Sequence, residues 1–159
     1  SKNGDYLELD FPSRPPKKEK LPKIISDGLN IQPKEIWKAR DYLLVYDSED
    51  DIKRIDPNIA ILNQININPG GIIVTAKAKS EDIDFVSRFF TPQAAVFEDP
   101  VTGSAHCTLI PFWANKLNKK KLSALQISER KGELICELQN DRVLIRGKAI
   151  KYFEGTIQL

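Results

Sequence analysis

What this chain lacks narrows its function first. In 159 residues it holds two cysteines, Cys107 and Cys136, and one histidine, His106. Two separated thiols are not a disulfide framework. Both lie in apolar stretches and read as buried free thiols, which suits a reducing, cytoplasmic compartment. One His and two Cys without CxxC or HxxxH spacing make no ligand set, so no metal is expected. Net charge is nearly absent: 24 Lys and Arg against 22 Asp and Glu leave +2. That balance argues against nucleic acid as a partner. No apolar run approaches the roughly 20 residues that span a bilayer, so no membrane partner is expected. The polar start, Ser1-Lys2-Asn3-Gly4-Asp5, has no signal-peptide core. There is no internal repeat and no low-complexity segment.

What is present is an ordinary globular composition, 41% apolar and 29% charged, in a length that suits one domain over 1–159. A strand pattern begins almost at once, at Tyr6-Leu7-Glu8-Leu9-Asp10-Phe11, so the chain reads as part of something longer. Pro12 stops it, and Ser13 to Lys20 is a proline- and charge-rich loop. Pro22 to Leu29 predicts a short helix ending at Gly28, and Ile31 to Trp37 a loop. Asp41 to Tyr46 is a strand. Ser48 followed by acids starts a short helix that Pro57 ends. Ile59 to Ile65 is a helical turn or strand. Pro69-Gly70-Gly71 is a turn, Ile72 to Ala76 a buried strand, and Ala94 to Phe97 a further strand. Leu122 to Ile127 opens a β-rich tail that turns at Asn140-Asp141 and alternates onward through Ala149, Lys151 and Phe153 to Leu159.

The most informative segment is Glu98-Asp99-Pro100-Val101-Thr102-Gly103-Ser104-Ala105-His106-Cys107. Its order is acid, proline, hydroxyl-glycine-hydroxyl, then an apolar run of helical length through Leu117. That run leaves almost no polar face, so the helix is buried on all sides. Pro111 should kink it or remove one hydrogen bond. A helix that opens on Thr-Gly-Ser presents unpaired N–H groups and the positive end of its dipole, which can hold a carboxylate or phosphate. Asp99 would sit beside such an anion. The structural reading is equally available: Thr102 or Ser104 caps the helix, and Gly103 relieves a turn. Lys116 to Lys121 lies where cations suit the C-terminal end of the dipole. Many strands and one fully apolar helix predict an α+β fold: a barrel-like, mainly antiparallel β-sheet wrapped around one central buried helix.

The segment Glu98 to Cys107 resembles the signature of the phenazine-biosynthesis PhzF-like family. Arg88-Phe89-Phe90-Thr91-Pro92 resembles the approach to that signature, and Leu109 to Ala114 its central helix. Gln126-Ile127-Ser128-Glu129-Arg130-Lys131-Gly132 resembles its Gln-x-Ser-x-Arg-x-Gly strand and turn, and Gly147-Lys148-Ala149 its closing strand. The resemblance implies a diaminopimelate epimerase-like fold, of which this chain corresponds to the C-terminal of two domains. It implies a cofactor-independent, metal-free isomerase that moves a proton on a small carboxylate-bearing metabolite. The Ser-Glu-Thr-Ala-Phe-like segment that carries the family's acid/base Glu does not occur here. Asp99 matches the Asp facing that Glu and is the catalytic candidate. Gly103 and Ser104 match the helix start that binds the substrate carboxylate, with Thr102 assisting. His106 is a possible site residue that reads more readily as a satisfied core histidine, and Arg130 is a further anion contact or a surface residue. The expected partners are the carboxylate substrate and either the missing N-terminal domain or a second copy, as a homodimer. The alternative is a non-catalytic binding or pairing domain.

Overall fold

The computed structural model describes residues 2–3, 5–67, 70–150 and 152–157. Ten strands form one sheet: β1 (Lys2–Asn3), β2 (Tyr6–Pro12), β3 (Lys17–Lys18), β4 (Glu35–Lys38), β5 (Tyr42–Val45), β6 (Ile72–Lys77), β7 (Phe85–Phe90), β8 (Lys121–Gln126), β9 (Gly132–Gln139) and β10 (Arg142–Lys148). The helices are α1 (Lys23–Asp27), α2 (Glu49–Arg54), α3 (Ile59–Leu62) and α4 (Gly103–Leu117). The strand order is β1-β2-β10-β9-β8-β7-β6-β5-β4-β3. Among the described residues only β5–β6 and β7–β8 pair in parallel, and each parallel step is bridged by helix, α2 and α3 in one case and α4 in the other.

The expected barrel is not closed. The sheet runs from one two-residue edge strand, β1, to another, β3, and no ladder joins them. It is nonetheless curled, by chain connectivity. Strands β2 and β3 lie eight positions apart in the strand order but are joined only by Ser13–Pro16. Eight flat strand spacings would be about 38 Å, whereas that link reaches about 18 Å. Covalent chain thus bridges the seam. Pro12, Pro15 and Pro16 have no N–H to extend a ladder across it.

Alternation along β5 and β6 feeds two cores. Leu43, Val45 and Ile73 face α4, together with Phe85, Phe89, Leu122, Ala124, Leu134, Cys136, Val143 and Ile145. Phe11 of β2 and Trp37 of β4 pack on the same cluster. Leu44, Ile72, Val74 and Ala76 face the other way and pack with Ile25 of α1, Ile52 of α2 and Leu62 of α3. Strands buried on both faces read as near-continuous apolar runs, as Ile72 to Ala76 does with only Thr75 polar.

Ten consecutive residues of α4, Ala105 to Ala114, are buried. Pro111 lies inside the helix and has no N–H for the carbonyl of Cys107, four residues back. The backbone N–H of Arg14, in the seam, donates to that carbonyl at 2.8 Å. The helix ends at Asn118, which takes the left-handed conformation (φ 51°, ψ 47°). Lys116 pairs with Glu35 and Lys119 with Asp84, so the lysine run serves structure.

Several local expectations are corrected. Glu35–Lys38 is a strand rather than loop, because pairing with Tyr42–Val45 completes its backbone. Ala94–Phe97 forms bends around Gln93 (φ 67°) rather than a strand. Ile59–Leu62 resolves as helix, started by the Asn58 side chain, which accepts from the Ile61 N–H. The tail alternation stops at Lys148; residues 149–150 and 152–157 carry no regular element. Ser1, Gly4, Pro69, Lys151 and Leu159, which entered the reading above, lie outside the described residues.

Candidate functional site

The signature segment joins the end of β7 to the start of α4, and three groups of contacts hold it. At its entry, Arg88 donates to both oxygens of Glu98 at 2.8 and 2.9 Å, and through Nη1 to the carbonyls of Ile52 and Ile55 at the end of α2. The N–H of Asp99 donates to the carbonyl of Phe89 at 3.1 Å.

In the middle, Gln126 clamps the turn. Its Oε1 accepts from the Thr102 N–H at 2.8 Å, and its Nε2 donates to the Asp99 carbonyl at 2.6 Å and the Thr102 Oγ1 at 3.2 Å. The backbone partners decide the amide's orientation, since an N–H only donates and a C=O only accepts. The Thr102 hydroxyl, receiving from Gln126, donates to Asp99 Oδ2 at 2.8 Å. One carboxylate oxygen of Asp99 is therefore committed to Thr102. Ser128 Oγ adds a bond to the Pro100 carbonyl at 2.7 Å. Val101 packs where a Cβ on Gly132 would sit, 2.3 Å from its nearest methyl. A turn held by buried side chains in this way is preorganised rather than free to adapt.

At the exit, α4 begins without a side-chain cap, because the Thr102 side chain is turned to Asp99. Gly103 has helical backbone, and a Cβ there would meet only a ring carbon of Phe11 at 3.8 Å. Its missing side chain thus leaves open space beside the first N–H groups of the helix. Ser104 is half-buried, and its Oγ accepts from Arg40 Nη2 at 2.9 Å. Arg40 in turn donates through Nε and Nη2 to both oxygens of Asp41, which is fully buried. Burial pushes the Asp41 carboxyl above its ordinary value, against the pull of Arg40 and Arg14.

The remaining candidates separate from this group. The Nδ1–H of His106 donates to the Thr102 carbonyl at 2.7 Å, leaving Nε2 without a partner in a fully buried ring. Burial lowers its pKa to about 4, so it is neutral and serves the helix start rather than a ligand. Cys107 is buried, its Sγ 3.6 Å from the Gly103 carbonyl, and burial pushes its thiol up. Arg130 is exposed and lines a cavity with Val101, Gly132 and Tyr6, to whose wall Gly103 and Ser104 do not contribute. Among the described residues no three potential metal ligands gather. No helix there is long and apolar enough to cross a membrane.

Sequence reading attached no role to Gln126, Ser128 or Gly132, although their spacing stood in the Gln-x-Ser-x-Arg-x-Gly segment. It had no signal for Arg40, which reaches Ser104 across 64 positions.

The signature geometry has a counterpart in a family model. Residues 21–155 match the PhzC-PhzF model, phenazine biosynthesis-like protein. This chain belongs to the PhzC-PhzF family. It is 48% identical over its whole length to an uncharacterized isomerase of Halalkalibacterium halodurans, of which it covers 60%. Over 99% of its length it is 44% identical to an uncharacterized isomerase of Pseudomonas aeruginosa, again covering 60% of that protein. The crystal structure of a PhzF-family protein from Enterococcus faecalis superposes with a TM-score of 0.89 at 38% identity, covering all of this chain and 60% of that one. The chain thus spans about 60% of the length of the curated relatives it matches.

Proposed function

We propose that this chain supplies one half of the active site of a PhzF-type isomerase, as the C-terminal, diaminopimelate epimerase-like domain. The reaction is a proton transfer on a small carboxylate-bearing metabolite. The observation that carries this reading is the uncapped start of α4, open beside Gly103, with Asp99 held next to it by Thr102. The substrate carboxylate takes the N–H groups of the first turn and the Ser104 hydroxyl. Asp99, with one oxygen committed to Thr102, orients the substrate and exchanges the proton at the other. A second acid/base group faces it from outside these 159 residues. No cofactor or metal enters the step. Its isomerase character is supported by the relatives' names.

The test is hydrogen exchange at carbon. The chain, together with the domain that carries the second acid/base group, is incubated in D₂O with a panel of small unsaturated and hydroxy carboxylates, and deuterium uptake is followed by mass spectrometry. Uptake that disappears in Asp99→Asn is the expected result. Uptake that Asp99→Asn leaves intact removes Asp99 from the chemistry.

One observation favours a second reading, a pairing domain. Leu7 and Leu9 are 46% and 54% exposed on β2, the strand whose Phe11 lies beside Gly103. An exposed apolar face beside the site suits a covering domain or a second copy of this chain. Sedimentation of the protein and of Leu7→Lys/Leu9→Lys distinguishes them: a homodimer that the double substitution dissociates supports self-pairing.

A further inference from the structure

We propose that Arg40 is the charge-selecting residue of this site, restricting its ligand to a carboxylate rather than a neutral amide or ester. The proposal rests on the reading of Ser104 and the start of α4 as the ligand end.

The argument begins with what a guanidinium can do. It has five N–H donors and no acceptor, so in its contact with Ser104 the hydroxyl oxygen must accept. The Ser104 hydrogen is then free to point elsewhere, and no group among the described residues takes it. A hydroxyl held in this way donates to a ligand acceptor. That bond is charge-assisted when the acceptor is a carboxylate and neutral when it is an amide or ester carbonyl.

Arg40 is also preorganised. Nε and Nη2 are bound to Asp41, which is fully buried, while the Arg40 side chain is 30% exposed. The second terminal nitrogen, Nη1, has no partner among the described residues. A carboxylate on Ser104 and the first N–H groups of α4 would meet a fixed cation beside them. A guanidinium fixed on Asp41 loses little freedom on binding, and its Nη1 remains to donate to a ligand carboxylate oxygen. Arg14 adds a second positive charge: both guanidiniums and Asp41 lie near enough to act on Cys107, in the first turns of α4. With the carboxylates of Asp41 and Asp99 these charges balance, so selection falls to Arg40, the cation in contact with Ser104. Asp41 serves as the positioning residue that keeps Arg40 on Ser104.

The experiment titrates ¹⁵N-labelled protein with butyrate and, separately, with butyramide, following the amide resonances of Gly103, Ser104 and Ala105. Butyrate should shift them and butyramide should not. Arg40→Met should weaken butyrate binding about tenfold, and Arg40→Lys should recover part of the loss by keeping the charge without the guanidinium's hold on Asp41. Arg40→Met leaves Asp41 buried without its cation. The double substitution Arg40→Met/Asp41→Asn, which removes both charges, is therefore measured alongside and decides the matter if the single variant fails to fold. Butyrate binding at unaltered affinity in the folded variants overturns the role of Arg40 and leaves the helix-end reading standing. Equal shifts from butyramide overturn charge selection alone. No butyrate-dependent shift of these amides in the unsubstituted protein overturns the helix-end reading, and this proposal with it.

Discussion

Two helix starts in this molecule are built from similar residues and do opposite things. At the start of α2, Ser48 Oγ accepts from the Asp51 N–H at 3.2 Å while the Ser48 N–H donates to Asp51 Oδ2 at 3.1 Å. That reciprocal capping box closes the helix end with its own side chains. At the start of α4, Thr102 stands where Ser48 stands but gives its hydroxyl to Asp99. The first N–H groups of α4 stay uncapped, and a glycine keeps the space beside them open. A hydroxyl before a helix therefore does not identify a cap. Its role depends on whether a competing acceptor and a clamp redirect it.

The largest test of this contrast is Gln126→Leu. It leaves the Thr102 N–H and the Asp99 carbonyl without their buried partner, at a cost of about 3 kcal/mol. Chemical denaturation should show that loss, and hydrogen exchange should rise at residues 99–105 while α2 is unaffected. Exchange rising equally at both helices would mean that the clamp is not local.

Acid should separate the two starts as well. The folded state holds His106 at about 4 against an ordinary value of 6.5, so the unfolded chain takes up a proton that the folded chain refuses. His106 costs nothing above about pH 6.5; as the pH falls toward 4, stability drops by on the order of 3 kcal/mol. Unfolding free energies measured across this window should slope downward with acid, and His106→Gln should remove that part of the slope. A slope that His106→Gln leaves intact would assign it to other groups.

The smallest effect lies at the closed start. Ser48→Ala should cost about 1 kcal/mol of stability and leave the butyrate shifts at Gly103 to Ala105 unchanged. Thermal melts and the same titration check both halves of that statement.

The legible and illegible parts of the molecule divide by contact range. The α4 helix was readable because every position from Ala105 to Ala114 is buried, so its sequence is apolar all round. Strands β6 and β5 were readable for the same reason. Strand β4 was not: Glu35–Lys38 has polar ends and owes its strand state to β5 beside it. The site divides likewise. Asp99, Thr102, Gly103 and Ser104 lie within six consecutive positions and carry a recognisable pattern. Gln126 and Arg40 reach the same spot from 24 and 64 positions away, and no local periodicity reports such a contact.

By itself the sequence determined the local chemistry: an acid, hydroxyls and a glycine ahead of a helix too apolar to be exposed. Only the tertiary structure decided that Thr102 serves Asp99 instead of the helix, that Gln126 orients both, and that Arg40 stands at Ser104. It also decided that the sheet is curled across a covalent seam rather than closed as a barrel. The curl follows from the short covalent link between β2 and β3, and the other three share one physical reason. Hydrogen-bond donors choose among acceptors brought together by folding, and that choice depends on distances in space that no spacing along the chain encodes.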